Sequence, residues 1–259
     1  VILTMALLAP VISPFSPYEQ NLLARIVPPV WMEGGRWEHP LGTDHLGRDY
    51  LSRLIYGTRV SLGIGFGVIL VSGAIGITLG LIAGYFGGVA DMVISFIITT
   101  RLSLPIVLVA LAAVALGGAS LMTLVTVLGL LLWDRFAVVT RASAQSLRSR
   151  EFIKGMRAIG ASHARILFFE ILPNMRSAIV VVTTLEVANV VLLEAALSFL
   201  GLGVRPPTPS WGLMIAEGRE NMLFDPWLIA MPGLALCTLV LAVNLLGDGL
   251  RDLSGARSK

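Results

Sequence analysis

VSLGIGFGVILVSGAIGITLGLIAGYFGGVA, residues 60–90, contains no Asp, Glu, Lys or Arg. About 20 helical residues suffice to cross the hydrocarbon core of a bilayer, so this stretch is long enough to span it. Residues 102–133 and 226–247 are equally free of charge. Over all 259 residues 56% are hydrophobic and 14% charged, whereas a soluble domain carries about a quarter charged residues. The alternation expected of a membrane β-barrel is absent. The chain therefore reads as an all-α integral membrane protein.

Spans are expected near 1–13, 61–84, 93–116, 119–139, 177–200 and 227–247, a polytopic bundle of about six helices whose first is incomplete. The first apolar run is too short to cross by itself. As a signal-peptide core it has no basic segment before it and no small-residue cleavage site after it. It is read as a span beginning before Val1. Residues 102–133 would make a helix of about 48 Å, too long for one crossing. Gly117-Gly118 is the expected hairpin break. Pro105 is expected to kink the third span, and Arg101 to snorkel from it toward the nearer face. Cys237, the only cysteine, sits in an apolar run and reads as a small buried hydrophobe.

Loop charge orients the bundle. Residues 134–176 hold eight Lys or Arg against three acids, loop 201–226 two against three, and loop 14–59 five against five. The basic loop is expected in the cytoplasm, with both termini on that side. The domain reading is then a partial span at 1–13, an external loop with a helix at 14–59, a transmembrane domain at 60–252 that includes a cytoplasmic loop at 140–176, and a tail at 253–259. Net charge is only +3, with 17 Arg and 2 Lys, and the excess clusters in one loop. No nucleic-acid-binding stripe is present.

EFIKGMRAIGASHARILFFEILPN, residues 151–174, lies in that basic loop. Phe152, Ile153, Met156 and Ile159 recur with helical spacing, while Glu151, Lys154 and Arg157 fall on the other side. Gly160 offers a C-terminal break. Ser162 can cap a second helix over 163–172, and Pro173 precedes the next span. Such a helix can lie on the membrane surface or dock to a cytoplasmic partner.

RAIGAS at 157–162 and LPN at 172–174 resemble the EAA loop of ABC-importer permeases. Lys154, Gly155 and Met156 stand where that family has Glu-Ala-Ala, while Gly160 and Leu172-Pro173 match. HPLGTDHLGRDYLSRLIYGTRVSLGIG (39–65), LLEAALSFLGLGVRPPTPSWG (192–212) and NLLGDGLRD (244–252) resemble signatures of the dipeptide/oligopeptide/nickel branch of those permeases. The resemblance implies a type I ABC-importer permease fold. It also implies that Glu151, Phe152, Lys154, Met156, Arg157, Ala158, Ile159, Gly160 and Ala161 form a coupling helix seated in an ATPase subunit. The implied partners are two ABC ATPase subunits, a second homologous permease, an extracytoplasmic solute-binding protein and the bilayer of the plasma membrane. ATP and Mg would sit on the ATPases, with no cofactor and no metal on this chain.

His39, Asp44, His45 and Asp49 combine metal-binding residue types. Their spacing fits no closed site, and Asp44 is placed to cap a helix over 45–58. Glu186, Asn189 and Glu194 fall within an arc of about 140° on the fifth span. Each can face a translocation pathway or a partner permease. Alternatively, Glu194 reaches water at the helix end as a packing residue while Glu186 pairs inside the bundle. PPTPSWG (206–212) reads as a rigid external turn.

No P-loop is present, and no G-x-S-x-G or H-E-x-x-H. The chain is not expected to be an enzyme. Three readings remain at this point. The first is an ABC-importer permease carrying peptides, or nickel complexes as the variant within the family. The second is an ion-coupled carrier using Glu186. The third is a membrane anchor that recruits a soluble partner.

Overall fold

The structure is a computed structural model and describes residues 2–255. Of the expected tail, 253–255 continue the last helix, whereas 256–259, with Arg257 and Lys259, lie outside the described residues. So does Val1.

Among the described residues the architecture is helical, with one isolated bridge between Thr43 and Asp49. The main helices are α1 (Ile2–Ile12), α2 (Tyr50–Phe86), α3 (Gly88–Leu102), α4 (Ile106–Gly117), α5 (Leu121–Leu131), α6 (Asp134–Arg148), α7 (Glu151–Ala158), α8 (Arg176–Phe199), α9 (Trp211–Gly218) and α10 (Trp227–Gly255). Four stretches are long and apolar enough to cross a membrane: Tyr50–Phe86, Leu121–Arg148, Arg176–Phe199 and Trp227–Leu250. The α3–α4 pair makes a fifth if counted as one broken span. The short apolar α1 accompanies them.

Several boundaries differ from the sequence expectation. The proposed helix 45–58 and span 61–84 are one helix, α2, of 37 residues. Its cap is Asp49, whose Oδ2 accepts the Ser52 N–H at 2.8 Å. Asp44 instead closes a turn by accepting the N–H groups of Leu46 and Arg48. Pro105 does more than kink the third span, because α3 and α4 meet at 84°. Proline has no N–H and excludes the preceding residue from the helical region. Arg101 does not snorkel. It donates to the Leu131 carbonyl at the end of α5 and lies 3.4 Å from Asp134. The span expected at 119–139 runs on to Arg148, so Arg135, Arg141 and Arg148 are helical rather than loop charges. Cys237 is exposed. Trp211 and Gly212 open α9 rather than belonging to a turn.

The chain divides into two compact units. Among the described residues, unit 1 gathers 2–66, 111–125 and 189–241, and unit 2 gathers 67–110, 126–188 and 242–255.

In unit 2, α2 and α6 touch through glycines. A Cβ on Gly76 would lie 2.2 Å from the Trp133 carbonyl, and one on Gly80 would lie 1.9 Å from Thr140 Oγ1. Small residues at a four-residue spacing let membrane helices approach to backbone contact. Gly80→Leu is therefore expected to force the helices apart and to lower the amount of folded chain several-fold. Fluorescence-detected size exclusion in detergent measures this. Gly63→Leu is the control, since nothing lies within 4 Å of a Cβ there.

Candidate functional site

Helix α7 starts at Glu151 after the extended Arg150 and ends at Ala158. Ile159 N–H still reaches the Gly155 carbonyl at 3.1 Å. Gly160 then takes φ +79°. Its N–H donates to the Arg157 carbonyl and the Ala161 N–H to the Met156 carbonyl, each at 3.0 Å. This left-handed closure of a helix end favours glycine. Ser162 Oγ accepts the Arg165 N–H at 3.3 Å and opens the next turn, His163–Arg165. A π-helical stretch, Ile166–Ile171, and the turn Leu172–Asn174 follow, so Pro173 lies inside the segment that leads to α8.

The apolar stripe of α7 splits. Ile153 is fully buried with Tyr85, Ala144, Ile166, Ile171 and Met175, and the half-buried Met156 and Ala161 pack on that cluster. Phe152 and Ile159 point out instead, 45% and 78% exposed. Glu151, Lys154, Arg157, Ala158 and Gly160 are exposed too. Periodicity in one short helix cannot reveal that its stripe is wider than the surface available to cover it.

α7 is tied to the end of α2. Arg157 lies 4.7 Å above the Tyr85 ring. Tyr85 Oη is hydrogen-bonded to His163 Nδ1 at 2.8 Å. The Arg148 guanidinium donates to the Tyr85 carbonyl at 3.4 Å. Asp91 at the start of α3 takes Arg141 Nη2 at 2.9 Å and Gln145 Nε2 at 3.2 Å. Tyr85, Asp91, Arg141 and His163 carry no sequence signal for these contacts, because their partners lie 50 or more residues away.

Glu186 and Glu194 on α8 have different hydrogen-bond partners. Glu186, 1% exposed, accepts from Arg135 Nη1 at 2.9 Å in unit 2. Asn189 is half-buried three residues on. Glu194, fully buried, does not reach water at the helix end. In unit 1 it accepts from Ser198 Oγ at 2.7 Å and Ser210 Oγ at 3.1 Å. Ser210 also caps α9 by accepting the Leu213 N–H, so Glu194 pins the α9 start to α8.

Of the candidate metal residues, His39 and Asp49 pair at 2.8 Å. Donor atoms of Asp44, His45 and Glu217 come within 4.8 Å of one another, but guanidinium groups already neutralise the two carboxylates. Arg48 Nε is 2.6 Å from Asp44 and its Nη2 3.2 Å from Glu217. Arg53 bonds Asp44 and lies 2.7 Å from Glu217. Burial alone would push the Asp44 carboxyl up. The charges of Arg53 and Arg48, with N–H donors from Arg48 and Leu46, outweigh it and hold the group below the usual carboxylate range. The knot is a four-charge ion-pair network with no net charge.

Residues 76–259 match the family described as binding-protein-dependent transport system inner membrane component. The dipeptide transport system permease protein of Haemophilus influenzae is 42% identical over 97% of this chain and 85% of its own length. The di/tripeptide transport system permease protein of Pseudomonas aeruginosa is 42% identical over 95% of this chain and 82% of its own length. The glutathione transport system permease protein of Pectobacterium atrosepticum is 42% identical over 85% of this chain and 73% of its own length. Among solved structures, the inward-facing MetNI methionine ABC transporter superposes with TM-score 0.63 at 18% identity, over 77% of this chain and 95% of that one. That likeness shows the fold, the type I ABC-importer permease fold. The chain belongs to the binding-protein-dependent transport system inner membrane components, as a multi-pass, non-enzymatic permease subunit of an ABC importer.

Proposed function

We propose that this permease forms half of the translocation pathway of a peptide importer. It would pair with a second homologous permease and take its cargo from an extracytoplasmic solute-binding protein. The segment Glu151–Ala161 would be the coupling helix, seated on one of two cytoplasmic ATPase subunits that hold ATP and Mg. This orientation puts α7 and both chain ends on the cytoplasmic side of the plasma membrane. Glu186 and Asn189 would face the pathway or the second permease. Glu194, with its two serine partners, would hold the α8–α9 corner together.

The observation that carries this reading is the split stripe of α7. Ile153 anchors the helix to its own unit, while Phe152 and Ile159 are left outward beside exposed Lys154 and Arg157. An anchored helix with an outward apolar pair can pass on a rigid-body motion. The peptide cargo is supported by the Haemophilus and Pseudomonas relatives, which are dipeptide and di/tripeptide transport system permease proteins. The test is a pull-down through this chain, with crosslinking from Phe152→Cys in a Cys237→Ser background. P-loop ATPases should co-purify and crosslink at that position. A folded chain that emerges without them defeats the proposal.

A further inference from the structure

We infer that Arg135 is a carboxylate-binding subsite of the translocation pathway, held in place by Glu186, which receives the free C-terminal carboxylate of a peptide in transit. The inference rests on the peptide-permease reading above.

Arg135 stands near the middle of the span Leu121–Arg148, just after the break between α5 and α6. Glu186 stands near the middle of α8. The two pair at 2.9 Å, but unequally, since the Glu186 side chain is 1% exposed and that of Arg135 is 58% exposed. A second pair close by, Arg101 with Asp134, is enclosed on both sides at 15% and 3% exposure. Arg101 closes the carbonyl end of α5 and is structural. Arg135 balances the buried Glu186 through Nη1, and its side chain is presented outward.

An arginine at mid-bilayer costs about 2.5–3.5 kcal/mol on insertion scales and is found facing a protein interior or water. The exposed side of Arg135 therefore does not face lipid. The face it occupies continues along α6 through exposed Val138, Ala142 and Ser146. The far part of that face lines an open groove of about 470 Å³, shared with Ser143, Asn174 and Ser177. The exposed face of α6 thus runs from Arg135 to this groove.

The chemistry selects a carboxylate. A guanidinium offers five donors in a planar fork suited to bidentate carboxylates, and the pair with Glu186 engages Nη1. Glu186 compensates the charge while the site is empty and fixes the fork. An arriving carboxylate meets the exposed edge. Every free peptide carries such a group whatever its side chains, so this contact does not depend on peptide sequence.

The test uses the assembled complex with its second permease, ATPases and binding protein, with labelling read in inside-out vesicles and uptake in right-side-out vesicles. Cys237 is replaced by serine, because it is exposed. Val138→Cys, one turn from Arg135 and 46% exposed, serves as reporter for an anionic methanethiosulfonate. Ala-Ala is expected to slow labelling at least fivefold when Arg135 is present. It should not do so in the Arg135→Ala background, and Ala-Ala amide should not do so in either. Arg135→Ala should raise KM for Ala-Ala uptake tenfold or more, with Arg135→Lys intermediate. Absent labelling, equal protection by the amide, or loss of the second permease from the Arg135→Ala complex overturns the site. The last result would make Arg135 a permease–permease contact. If the unsubstituted complex takes up no Ala-Ala, the peptide reading itself fails. If it takes up Ala-Ala without protecting Val138→Cys, only the subsite fails.

Discussion

Replacing Gly160 by proline is expected to lower uptake by more than tenfold while ATP hydrolysis continues and the chain still inserts. Space is not the obstacle, because nothing lies within 4 Å of a Cβ at Gly160. The obstacle is the backbone, which stands at φ +79°. Proline is locked near −65°, and it lacks the N–H that Gly160 gives to the Arg157 carbonyl. The end of α7 must then reopen, and the Ala161 bond to the Met156 carbonyl is lost with it. Gly160→Ala keeps the N–H and pays only the left-handed penalty, about 1–2 kcal/mol, so it should retain much of the uptake. Ile159→Glu is the complementary variant. Ile159 is 78% exposed, so a charge there should leave the fold intact and act only where a partner covers the residue. The measurement compares uptake and binding-protein-stimulated ATP hydrolysis in one set of vesicles, with membrane-fraction levels as the control. Wild-type uptake by Gly160→Pro or Ile159→Glu would remove α7 from the coupling path.

The shape of the α7 segment was legible because its signals are local. The glycine at the helix end and the serine three residues before the Arg165 N–H act within a single turn. The uncharged windows marked the spans for a similar reason, since hydrocarbon tolerates few unpaired charges whatever the packing. Charge failed as a boundary signal where it had a distant partner. Arg135 and Arg141 look like loop residues in sequence, yet Glu186 and Asp91 neutralise them within the helical region. The start of α2 was misplaced on similar grounds. Asp44 and Asp49 are equally plausible caps by local spacing. What separates them is that Asp44 is claimed by Arg48 and Arg53. In unit 2 the close approach of α2 to α6 was likewise invisible, because glycines in an apolar run do not announce which helix they will meet.

The largest stability effect is expected at that ion-pair knot, from Arg53→Met. Asp44, Arg48, Arg53 and Glu217 sum to zero charge, and the Arg53 side chain is fully buried. Removing one guanidinium leaves Arg48 alone with two carboxylates. Breaking a buried ion pair from one side costs about 3–5 kcal/mol. For a chain of this size that is a fall on the order of 10 °C in the thermal midpoint. Arg53→Lys keeps the charge but not the fork, and should lose less. Acid should act on the same knot. Asp44 is held below its usual range, so its contribution is fully present above the unfolded value, about 3.9. It is lost as pH falls through the lower folded value. The unsubstituted chain should therefore hold its midpoint from neutral pH down to about pH 5, with the Asp44 contribution fading only below about pH 4. Tyr50 also anchors this region by donating to the Leu228 carbonyl and packing edge-on against Trp227, with ring centroids 5.3 Å apart. Tyr50→Phe keeps the ring contact and removes only the hydroxyl. It should cost about 1–3 kcal/mol, because the buried carbonyl is left unpaired. The ordering Arg53→Met, then Arg53→Lys and Tyr50→Phe, then the unsubstituted chain can be read from thermal denaturation of the purified complex. An Arg53→Met complex as stable as the unsubstituted one would mean that the four charges are solvated in the assembly rather than sealed.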